Sequence, residues 1–204
     1  MPFISFEGID GSGKSSLLEN FKVHLKGLGL PVETTKEPGG TQLGKDLRNI
    51  LLRTNGEAPC PRAELLIYEA DRAQHVEVII KPLLQKGFWI LSDRYADSSL
   101  AFQGAGRKLD KEKVVWLNSF ATSGLVPDLT VLLDCTVEVA ETRRASREDD
   151  RMESEKLEFH QMVRDEYLTL AKHEPKRFLV LDAMKTPKQL FEELLQEVKN
   201  RKIL

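Results

Sequence analysis

The sequence of 204 residues contains only two cysteines, Cys60 and Cys135, and has no long apolar run. Two cysteines so far apart are too few for a disulfide framework or a four-ligand metal site. Because no stretch of about 18 consecutive apolar residues occurs, we expect no membrane-spanning helix. Residues 1–8 also lack the basic and apolar segments of a signal peptide, so we expect no such peptide and a cytoplasmic location.

The sequence also lacks an excess of charge of either sign. Its 30 Lys and Arg residues nearly balance its 32 Asp and Glu residues, and the formal net charge is −2. This balance predicts neither a nucleic-acid partner nor a membrane partner. The four histidines are scattered without the spacing of metal ligands. The length and the 41% hydrophobic content favour a single globular domain that spans residues 1–204.

Five short apolar runs alternate with segments of helical period, which is typical of a doubly wound α/β domain. The predicted strands are residues 3–7, 31–37, 88–93, 129–135 and 177–183. The predicted helices are residues 15–28, 43–52, 63–85, 111–121, 137–147, 154–172 and 187–202, and Pro82 is expected to kink or split the third of them. The continuous apolar character of the strands favours a parallel sheet that is covered on both faces. Ligands of such sheets lie beyond the carboxyl ends of the strands.

A glycine-rich segment, GIDGSGKS at residues 8–15, follows the first predicted strand and matches the phosphate-binding P-loop. Glycines allow successive backbone N–H groups to point at phosphates, and the following helix adds the positive end of its dipole. Lys14 is expected to contact the β- and γ-phosphates, and the Ser15 hydroxyl is expected to bind Mg²⁺. The sequence therefore predicts ATP binding by Gly8, Ile9, Asp10, Gly11, Ser12, Gly13, Lys14 and Ser15.

P-loops occur in GTPase switches, motor ATPases and small-molecule kinases. The guanine-reading pattern Asn-Lys-x-Asp is absent, which weighs against a GTPase switch. Asp93 and Arg94 stand where the third predicted strand ends. The forked guanidinium of Arg94 is suited to a second phosphate, and Asp93 is suited to ordering water on Mg²⁺ or orienting a cation. Without further context, the same two residues are equally compatible with a surface ion pair.

Five segments, taken in chain order, supply that context. EGIDGSGKS at 7–15, KEPGGT at 36–41, AELLIYEADRAQH at 63–75, SDRYADSSLAFQG at 92–104 and PDLTVLLD at 127–134 closely resemble thymidylate kinases. The resemblance spans nearly the whole chain. It implies a P-loop fold with a five-stranded parallel sheet between helices, usually in a homodimer. It also implies transfer of the γ-phosphoryl group of ATP to dTMP with Mg²⁺, which gives dTDP for dTTP synthesis.

The resemblance further implies the residues that hold dTMP. They are Asp10, Arg48, Tyr68, Arg72, Arg94, Ser98 and Gln103. Tyr68 corresponds to an aromatic residue against the thymine ring, and Arg72 corresponds to the arginine at the edge of that ring. From the residues alone, the alternative for this pair is an ordinary aromatic–cation contact on one helix face. Phe102 departs from the family, because many relatives carry a tyrosine there near the acceptor sugar.

The charged segment RRASREDDRME at residues 143–153 is interpreted as a mobile lid. Relatives carry a catalytic arginine either in the P-loop or in the lid, and no arginine occurs in this P-loop. Arg147 is therefore the predicted catalytic arginine, in the company of Arg143, Arg144 and Arg151 at the ATP side. A solvated, charge-rich helix end is the alternative interpretation. Residues 181–187 resemble the loop that relatives place against adenine.

Two other functions remain open from the sequence. One is a kinase for another nucleoside monophosphate, such as dUMP or a modified pyrimidine. The other is a regulatory module that binds ATP without turnover. The second is disfavoured because Lys14, Ser15, Asp93 and Arg94 are all present, and a module without turnover has no physical need for all four.

Overall fold

The computed structural model describes residues 1–145 and 148–204. Its five strands are β1 (Phe3–Glu7), β2 (Val32–Lys36), β3 (Trp89–Asp93), β4 (Leu129–Asp134) and β5 (Phe178–Asp182). All five predicted strands are confirmed, with ends that differ from the prediction by no more than one residue. Every strand pair is parallel, and the strand order is β2-β3-β1-β4-β5. The predicted α/β fold with a five-stranded parallel sheet is therefore confirmed.

Helices connect the strands. They are α1 (Lys14–Gly27), α2 (Gln42–Leu52), α3 (Pro61–His75), α4 (Lys81–Gln85), α5 (Ala96–Ser99), α6 (Lys111–Thr122), α7 (Val137–Arg144), α8 (Leu157–His173) and α9 (Pro187–Asn200). Two π-helical segments, Val76–Ile80 and Leu100–Gly106, follow α3 and α5. Because a π-helical turn widens the helix just before Pro82, the long helix predicted at 63–85 is divided there.

Three helical predictions need correction. Residues 96–106 are helical, although no helix was predicted between the third strand and residue 111. The helix predicted at 137–147 ends at Arg144, and residues 146 and 147 lie outside the described part of the chain. The helix predicted at 154–172 begins later, at Leu157, because residues 151–154 form turns instead.

The central strand β1 is buried along its whole length, as continuous apolar strands between two helical layers require. One core cluster contains Phe21 and Leu25 from α1 together with Leu194 and Val198 from α9. A second cluster forms around Phe3 of β1 and includes Ile80, Ile90 and Tyr95. The carboxyl ends of β1, β2 and β3 lie at the same edge of the sheet, so the three segments that follow them meet there.

Within the described ranges, 1–145 and 148–204, every helix is too short or too polar to cross a membrane.

Candidate active site

A cavity of about 610 Å³ opens at the edge of the sheet where β1, β2 and β3 end. Its walls come from the predicted P-loop, from residues 36–38 after β2, and from Asp93 and Arg94 after β3. The rest of the lining comes from α1, α2, α3 and α7, from the helical stretch at 96–106, and from residues within 150–153. The segments that the sequence singled out after the first three strands therefore meet at one cavity.

The glycines of the P-loop are required by close approach of other backbone segments. Gly8 has a φ of +132°, and a Cβ atom there would lie 2.5 Å from the carbonyl oxygen of Leu133. Gly11 has a φ of +90°, and its Cβ atom would lie 2.3 Å from the carbonyl oxygen of Ala140 in α7. Side chains are therefore excluded at both positions, and the loop keeps the glycines that a phosphate-binding turn requires.

Lys14 occupies the position that a P-loop lysine needs. Its Nζ donates hydrogen bonds to the carbonyl oxygens of Gly8 and Ile9, both at 3.1 Å, and lies 3.7 Å from Oδ1 of Asp10. Burial and the nearby charge of Arg94 lower the pKa of Lys14. An anion at the loop would favour the charged ammonium, because an opposite charge close by raises the pKa of a lysine.

The Ser15 hydroxyl donates a hydrogen bond of 2.7 Å to Oδ2 of Asp93. Ser15 lies in the first turn of α1, whereas Asp93 ends β3, so two elements far apart in sequence bring these oxygens together. A hydroxyl and a carboxylate are hard oxygen donors of the kind that Mg²⁺ prefers. The two residues therefore fit a Mg²⁺ ion at the mouth of the P-loop.

Arg94 links the P-loop to the opposite side of the cavity. Its φ of +72° is unusual for a residue other than glycine, and strain of this kind clusters at functional sites. Its Nη2 donates to Oδ1 of Asp10 at 2.7 Å, and its guanidinium lies over the ring of Phe102 at 4.8 Å. Burial alone would raise the pKa of Asp10, but the charges of Arg94 and Lys14 outweigh it, so this pKa lies well below its usual value.

Tyr68 and Arg72 lie one turn apart on α3, and both line the cavity. Tyr68 is half-buried, whereas Arg72 is only 1% exposed. The Arg72 guanidinium contacts two carboxylates, with Nε donating to Glu37 at 2.8 Å and Nη1 donating to Glu69 at 2.7 Å. Burial would lower the pKa of Arg72, but these two carboxylates raise it above its ordinary value.

The guanidinium of Arg72 also donates to neutral oxygens. Nη1 reaches Ser99 Oγ at 2.7 Å and Asn118 Oδ1 at 2.9 Å, and Nη2 reaches the carbonyl oxygen of Tyr95 at 3.0 Å. Since Nη2 carries two N–H groups and donates one of them to Tyr95, the second has no hydrogen-bond partner among the residues that the structure describes. Arg72 thus holds the protein together and faces the cavity at the same time.

The three other predicted acceptor residues also line the cavity. Arg48 on α2 donates from Nη1 to the carbonyl oxygen of Pro38 at 3.0 Å. Gln103 donates from its side-chain nitrogen to Oε1 of Glu64 at 2.9 Å. Ser98 forms hydrogen bonds with Glu7, Arg94 and Tyr167. All three are therefore fixed by the protein while they face the cavity.

Two of the predicted lid arginines lie at the P-loop side. Arg144 is buried, and its Nη1 donates to the carbonyl oxygen of Asp10 at 2.6 Å. Arg143 donates from Nη2 to the carbonyl oxygen of Ala183 at 2.9 Å. This places Arg143 between the main cavity and a smaller one of about 270 Å³ that is lined by Ser12, Lys185 and Pro187. The loop at 181–187, predicted to face adenine, therefore borders a cavity adjacent to the P-loop.

The other two predicted lid arginines are placed differently or not described. Arg151 donates from Nε to the carbonyl oxygen of Leu51 at 2.6 Å, and its Nη2 lies 2.7 Å from Oε2 of Glu64. Arg107 shares that buried carboxylate. Arg151 thus joins the predicted lid segment to α2 and α3 rather than to the P-loop, which differs from the expectation that it accompanies ATP. Arg147 lies outside the described residues.

Several residues in and around the cavity were not predicted from the sequence, among them three that hold Arg72 or lie behind Arg94. Glu37 and Ser99 line the cavity and hold Arg72, and Glu7 lies behind Arg94 with Ser98 and Tyr167. Glu37 and Ser99 both fall inside segments that carry the family resemblance, at 36–41 and 92–104. The signal was therefore present, but the partner that each side chain binds is distant in sequence.

Comparison with known proteins identifies relatives of the whole chain. The family model described as thymidylate kinase matches residues 6–194. A thymidylate kinase from Bdellovibrio bacteriovorus is 49% identical, over 100% of this chain and 98% of the relative. The thymidylate kinase from Nitratidesulfovibrio vulgaris is 45% identical, over 97% of this chain and 96% of the relative. The one from Carboxydothermus hydrogenoformans is 48% identical, over 94% of this chain and 94% of the relative.

Proposed function

The chain belongs to the thymidylate kinase family, and we propose how its side chains carry out the reaction of that family. The reaction is the transfer of the γ-phosphoryl group of ATP to the 5′-phosphate of dTMP, which gives ADP and dTDP for dTTP synthesis. The observation that carries the residue assignment is the hydrogen bond of 2.7 Å between Asp10 and Arg94. It places the predicted donor loop and the predicted acceptor arginine side by side in one cavity.

On the donor side, residues 8–15 hold the phosphates of ATP through backbone N–H groups, and Lys14 contacts the β- and γ-phosphates. Ser15 and Asp93 would hold a Mg²⁺ ion or its water, and the bound ion would supply positive charge that neutralises the phosphates. Arg143 lies next to the smaller cavity, where the loop at 181–187 contacts the adenine ring. The support for this half of the assignment is that Lys14, Ser15 and Asp93 line the main cavity, that Lys185 and Pro187 line the smaller one, and that Arg143 lines both.

On the acceptor side, the guanidinium of Arg94 binds the 5′-phosphate of dTMP by a charge-assisted contact. Tyr68 stacks on the thymine ring, and the remaining N–H group of Arg72 Nη2 reaches the edge of that ring. Arg48, Ser98 and Gln103 surround the nucleotide. Because the attacking oxygen of dTMP is already anionic, positioning and charge neutralisation suffice for the chemistry, and a strong general base is not required.

Transfer of radioactive label from [γ-³²P]ATP tests this assignment of donor and acceptor. We expect the label to appear in dTDP when the protein is incubated with Mg²⁺ and dTMP. Label that appears only as inorganic phosphate, at a rate independent of dTMP, would contradict the assignment.

The lid supplies positive charge to the transferring phosphoryl group. Among the described residues, Arg144 is the best-placed donor of that charge, because its guanidinium is buried next to Asp10 in the wall of the cavity. Arg151 anchors the lid instead, through Leu51 and Glu64. The assignment of Arg147 rests on the sequence alone. Residues 143–153 act as the lid of a single kinase domain that spans residues 1–204.

The Arg144→Ala substitution is expected to lower kcat by at least about 10²-fold, because an arginine on the transferring phosphoryl group contributes about 10³–10⁵-fold. The KM for ATP should change much less than kcat. The neighbouring Arg143→Ala variant is the matched control, since Arg143 lies at the adenine side and its loss should chiefly raise the KM for ATP. Steady-state kinetics of both variants measure the difference. A loss of less than tenfold in kcat for Arg144→Ala would contradict the assignment.

Phe102 lines the cavity beneath Arg94, at the position where many relatives carry a tyrosine. The Phe102→Tyr substitution is expected to raise the preference for dTMP over its ribose analogue by about fivefold, which is the value of one hydrogen bond of about 1 kcal/mol. The ratio of kcat/KM for the two nucleotides measures this effect. Phe159→Tyr is the control, because the Phe159 ring packs 6.1 Å from that of Phe102 but does not line the cavity. Equal ratios in wild type and Phe102→Tyr would refute the role in sugar recognition.

The protein is also proposed to form a homodimer through helices α3 and α6. On α6, the stacked rings of Trp116 and Phe120 lie 5.8 Å apart and are 65% and 75% exposed. Leu66, on the neighbouring helix α3, is 55% exposed. Large apolar side chains that remain exposed on adjacent elements are typical of an interaction site.

The Phe120→Lys substitution is expected to convert the dimer to a monomer, because a charge in an apolar interface is costly to bury. Sedimentation velocity at micromolar concentration measures the change in mass. Val23→Lys is the control, since Val23 is 61% exposed on α1, away from α3 and α6. A wild-type protein that sediments as a monomer would contradict the proposal.

We place the enzyme in the cytoplasm, in keeping with its lack of a cysteine framework for disulfides.

A further inference from the structure

A buried carboxylate, Glu7, lies next to the active site without a role in the mechanism above. It is the last residue of β1, and it is completely buried. Its Oε1 accepts a hydrogen bond of 2.7 Å from the backbone N–H of Tyr95. Its Oε2 accepts hydrogen bonds from the hydroxyls of Ser98 at 2.7 Å and Tyr167 at 2.8 Å. Glu7 therefore joins β1 to the segment after β3 and to α8.

Three oxygens in this cluster are mutually within hydrogen-bond distance. Ser98 Oγ and Tyr167 Oη lie 2.8 Å apart, and both contact Glu7 Oε2. We call these three oxygens the Glu7 triangle. When Glu7 is ionised, two hydroxyl protons occupy two of its three edges. A third proton, on Oε2, would occupy the last edge, so that each oxygen donates to the next. The triangle can thus hold either two or three protons without an unpaired polar atom.

Arg94 connects the Glu7 triangle to the cavity. Its Nη1 donates to Ser98 Oγ at 3.3 Å and to Tyr167 Oη at 3.2 Å, while its Nη2 contacts Asp10. The charge of Arg94 therefore acts on both sides, toward the triangle and toward the proposed site of the acceptor phosphate. A change in the charge near Arg94 therefore changes the electrostatic potential at Glu7.

The surroundings of Glu7 place its titration near neutral pH. Burial, with a further contribution from the charge of Asp97, raises the pKa of Glu7 to about 7. The charge of Arg94 and the hydrogen bonds from Ser98 and Tyr167 act in the opposite direction, toward a lower pKa.

Further charged groups lie around this cluster. Asp97 is itself paired with Arg177 at 2.6 and 2.9 Å, which fixes its position. Lys14 of α1 interacts electrostatically with Glu7 from the P-loop side, and Asp10 is paired with Arg94. Among the described groups, Arg94 is thus the cation that joins Glu7 to the acceptor side, and the binding of an anion there alters its field.

We propose that the Glu7 triangle takes up a proton from solvent when the phosphate of the acceptor nucleotide binds Arg94. The phosphate offsets the positive charge that keeps Glu7 ionised, and it brings negative charge of its own, so the protonated form is favoured. The proton comes from water or buffer and goes to Oε2 of Glu7; no other bond changes. This inference rests on the proposed assignment of Arg94 to the acceptor phosphate. Glu7 is therefore a positioning residue whose protonation is coupled to acceptor binding.

The sign of the resulting pH dependence follows from linkage. Because the complex binds more protons than the free enzyme, the affinity for dTMP falls as the pH rises between the pKa of Glu7 in the free enzyme and its higher pKa in the complex. If binding raises the pKa of Glu7 by about one unit, about half a proton is taken up at pH 7.5. At this pH the phosphate of dTMP is already almost fully ionised, because its second pKa is about 6.

Isothermal titration of the enzyme with dTMP tests the inference directly. At pH 7.5, in buffers of different ionisation enthalpy, the observed heat should depend on the buffer and report uptake of about half a proton. Glu7→Gln should bind dTMP with that uptake abolished. Thymidine, which lacks the phosphate, should cause no uptake in the wild type.

Each other result counts against a specific claim. Normal dTMP binding without proton uptake, or equal uptake by Glu7→Gln or with thymidine, would overturn the inference alone. Absence of dTMP binding to the wild type would overturn the proposed function and the inference with it. If Glu7→Gln does not fold, Tyr167→Phe replaces it. This variant keeps the carboxylate but lacks a hydrogen bond that favours its ionised form, so maximal uptake should move to higher pH. An unchanged pH of maximal uptake would refute the role of the triangle.

Discussion

Replacement of Arg94 by alanine is expected to lower kcat/KM for dTMP by about 10²- to 10³-fold. This is the effect of removing one hydrogen-bond donor that contacts negative charge on the bound substrate or in the transition state. The KM for ATP should change by less than about threefold, because the backbone and Lys14 of the P-loop still contact the phosphates of ATP. The expected loss follows from the position of Arg94 between Asp10 and the acceptor side, where its guanidinium faces the cavity.

Two further variants serve as comparisons for Arg94→Ala. Arg94→Lys keeps the charge but loses the planar fork, so its kcat/KM for dTMP should lie between those of the wild type and Arg94→Ala. Arg62→Ala, which changes an exposed arginine at the start of α3, should leave the kinetics unaltered. Nearly normal kcat/KM for dTMP in Arg94→Ala would remove Arg94 from the acceptor site.

The largest expected effect on stability is that of Arg72→Met. Arg72 is 1% exposed and pairs with Glu37 and Glu69, whose side chains are 2% and 6% exposed. Removing the guanidinium leaves Glu69 without its cation and leaves Glu37 with only His75, at 2.8 Å, and breaking a buried pair in this way costs about 3–5 kcal/mol. For a chain of this length we expect the midpoint of thermal unfolding to fall by about 10 °C or more.

Thermal unfolding followed by circular dichroism measures this effect. Arg62→Met is the matched control on the same helix, because an exposed side chain contributes within about 0.5 kcal/mol. Equal midpoints for Arg72→Met and Arg62→Met would contradict the ion-pair network. A large fall in the unfolding midpoint of Arg72→Met means that any loss of activity in this variant combines lost stability with lost contact to thymine. Kinetics of this variant should therefore be measured well below its unfolding midpoint.

The parts of the fold that the sequence predicts well are those with strong local signals. β1 and β4 are mostly apolar runs, and the P-loop has fixed glycine positions, so these strands were predicted within one residue. β2, with the sequence VETTK, was also predicted within one residue, although only Val32 in it is apolar. The helical stretch at 96–106 was not predicted, because α5 has four residues and the following π-helical segment contains Gly104 and Gly106. Neither part shows the repeated apolar spacing of an amphipathic helix.

The site shows the same division between local and distant information. The sequence indicates that Lys14, Ser15, Asp93 and Arg94 lie at one edge of the sheet, because the first two belong to the loop and helix that follow β1 and the last two stand at the end of β3. It could not show that Glu37 binds Arg72, since 35 residues separate them.

The partners of Glu7 and Arg151 are likewise fixed only by tertiary packing. Glu7 contacts Ser98, 91 residues away, and Tyr167, 160 residues away. Arg151 carries a charge that suits an ATP contact, yet its guanidinium binds the carbonyl oxygen of Leu51 and the carboxylate of Glu64. Residue type alone does not distinguish a phosphate-binding arginine from one that anchors a lid.

The acceptor preference is the most direct test of the assignment of the cavity to ATP and dTMP. Acceptor-dependent ADP release should be measured with ATP, Mg²⁺ and, in turn, dTMP, dUMP, ribothymidine monophosphate, dCMP and UMP. We predict the highest kcat/KM for dTMP, at least about tenfold above that for dUMP, which lacks only the methyl group of thymine. A different preferred acceptor would contradict the roles of Tyr68 and Arg72, and ATP binding without any acceptor-dependent ADP release would contradict the kinase itself.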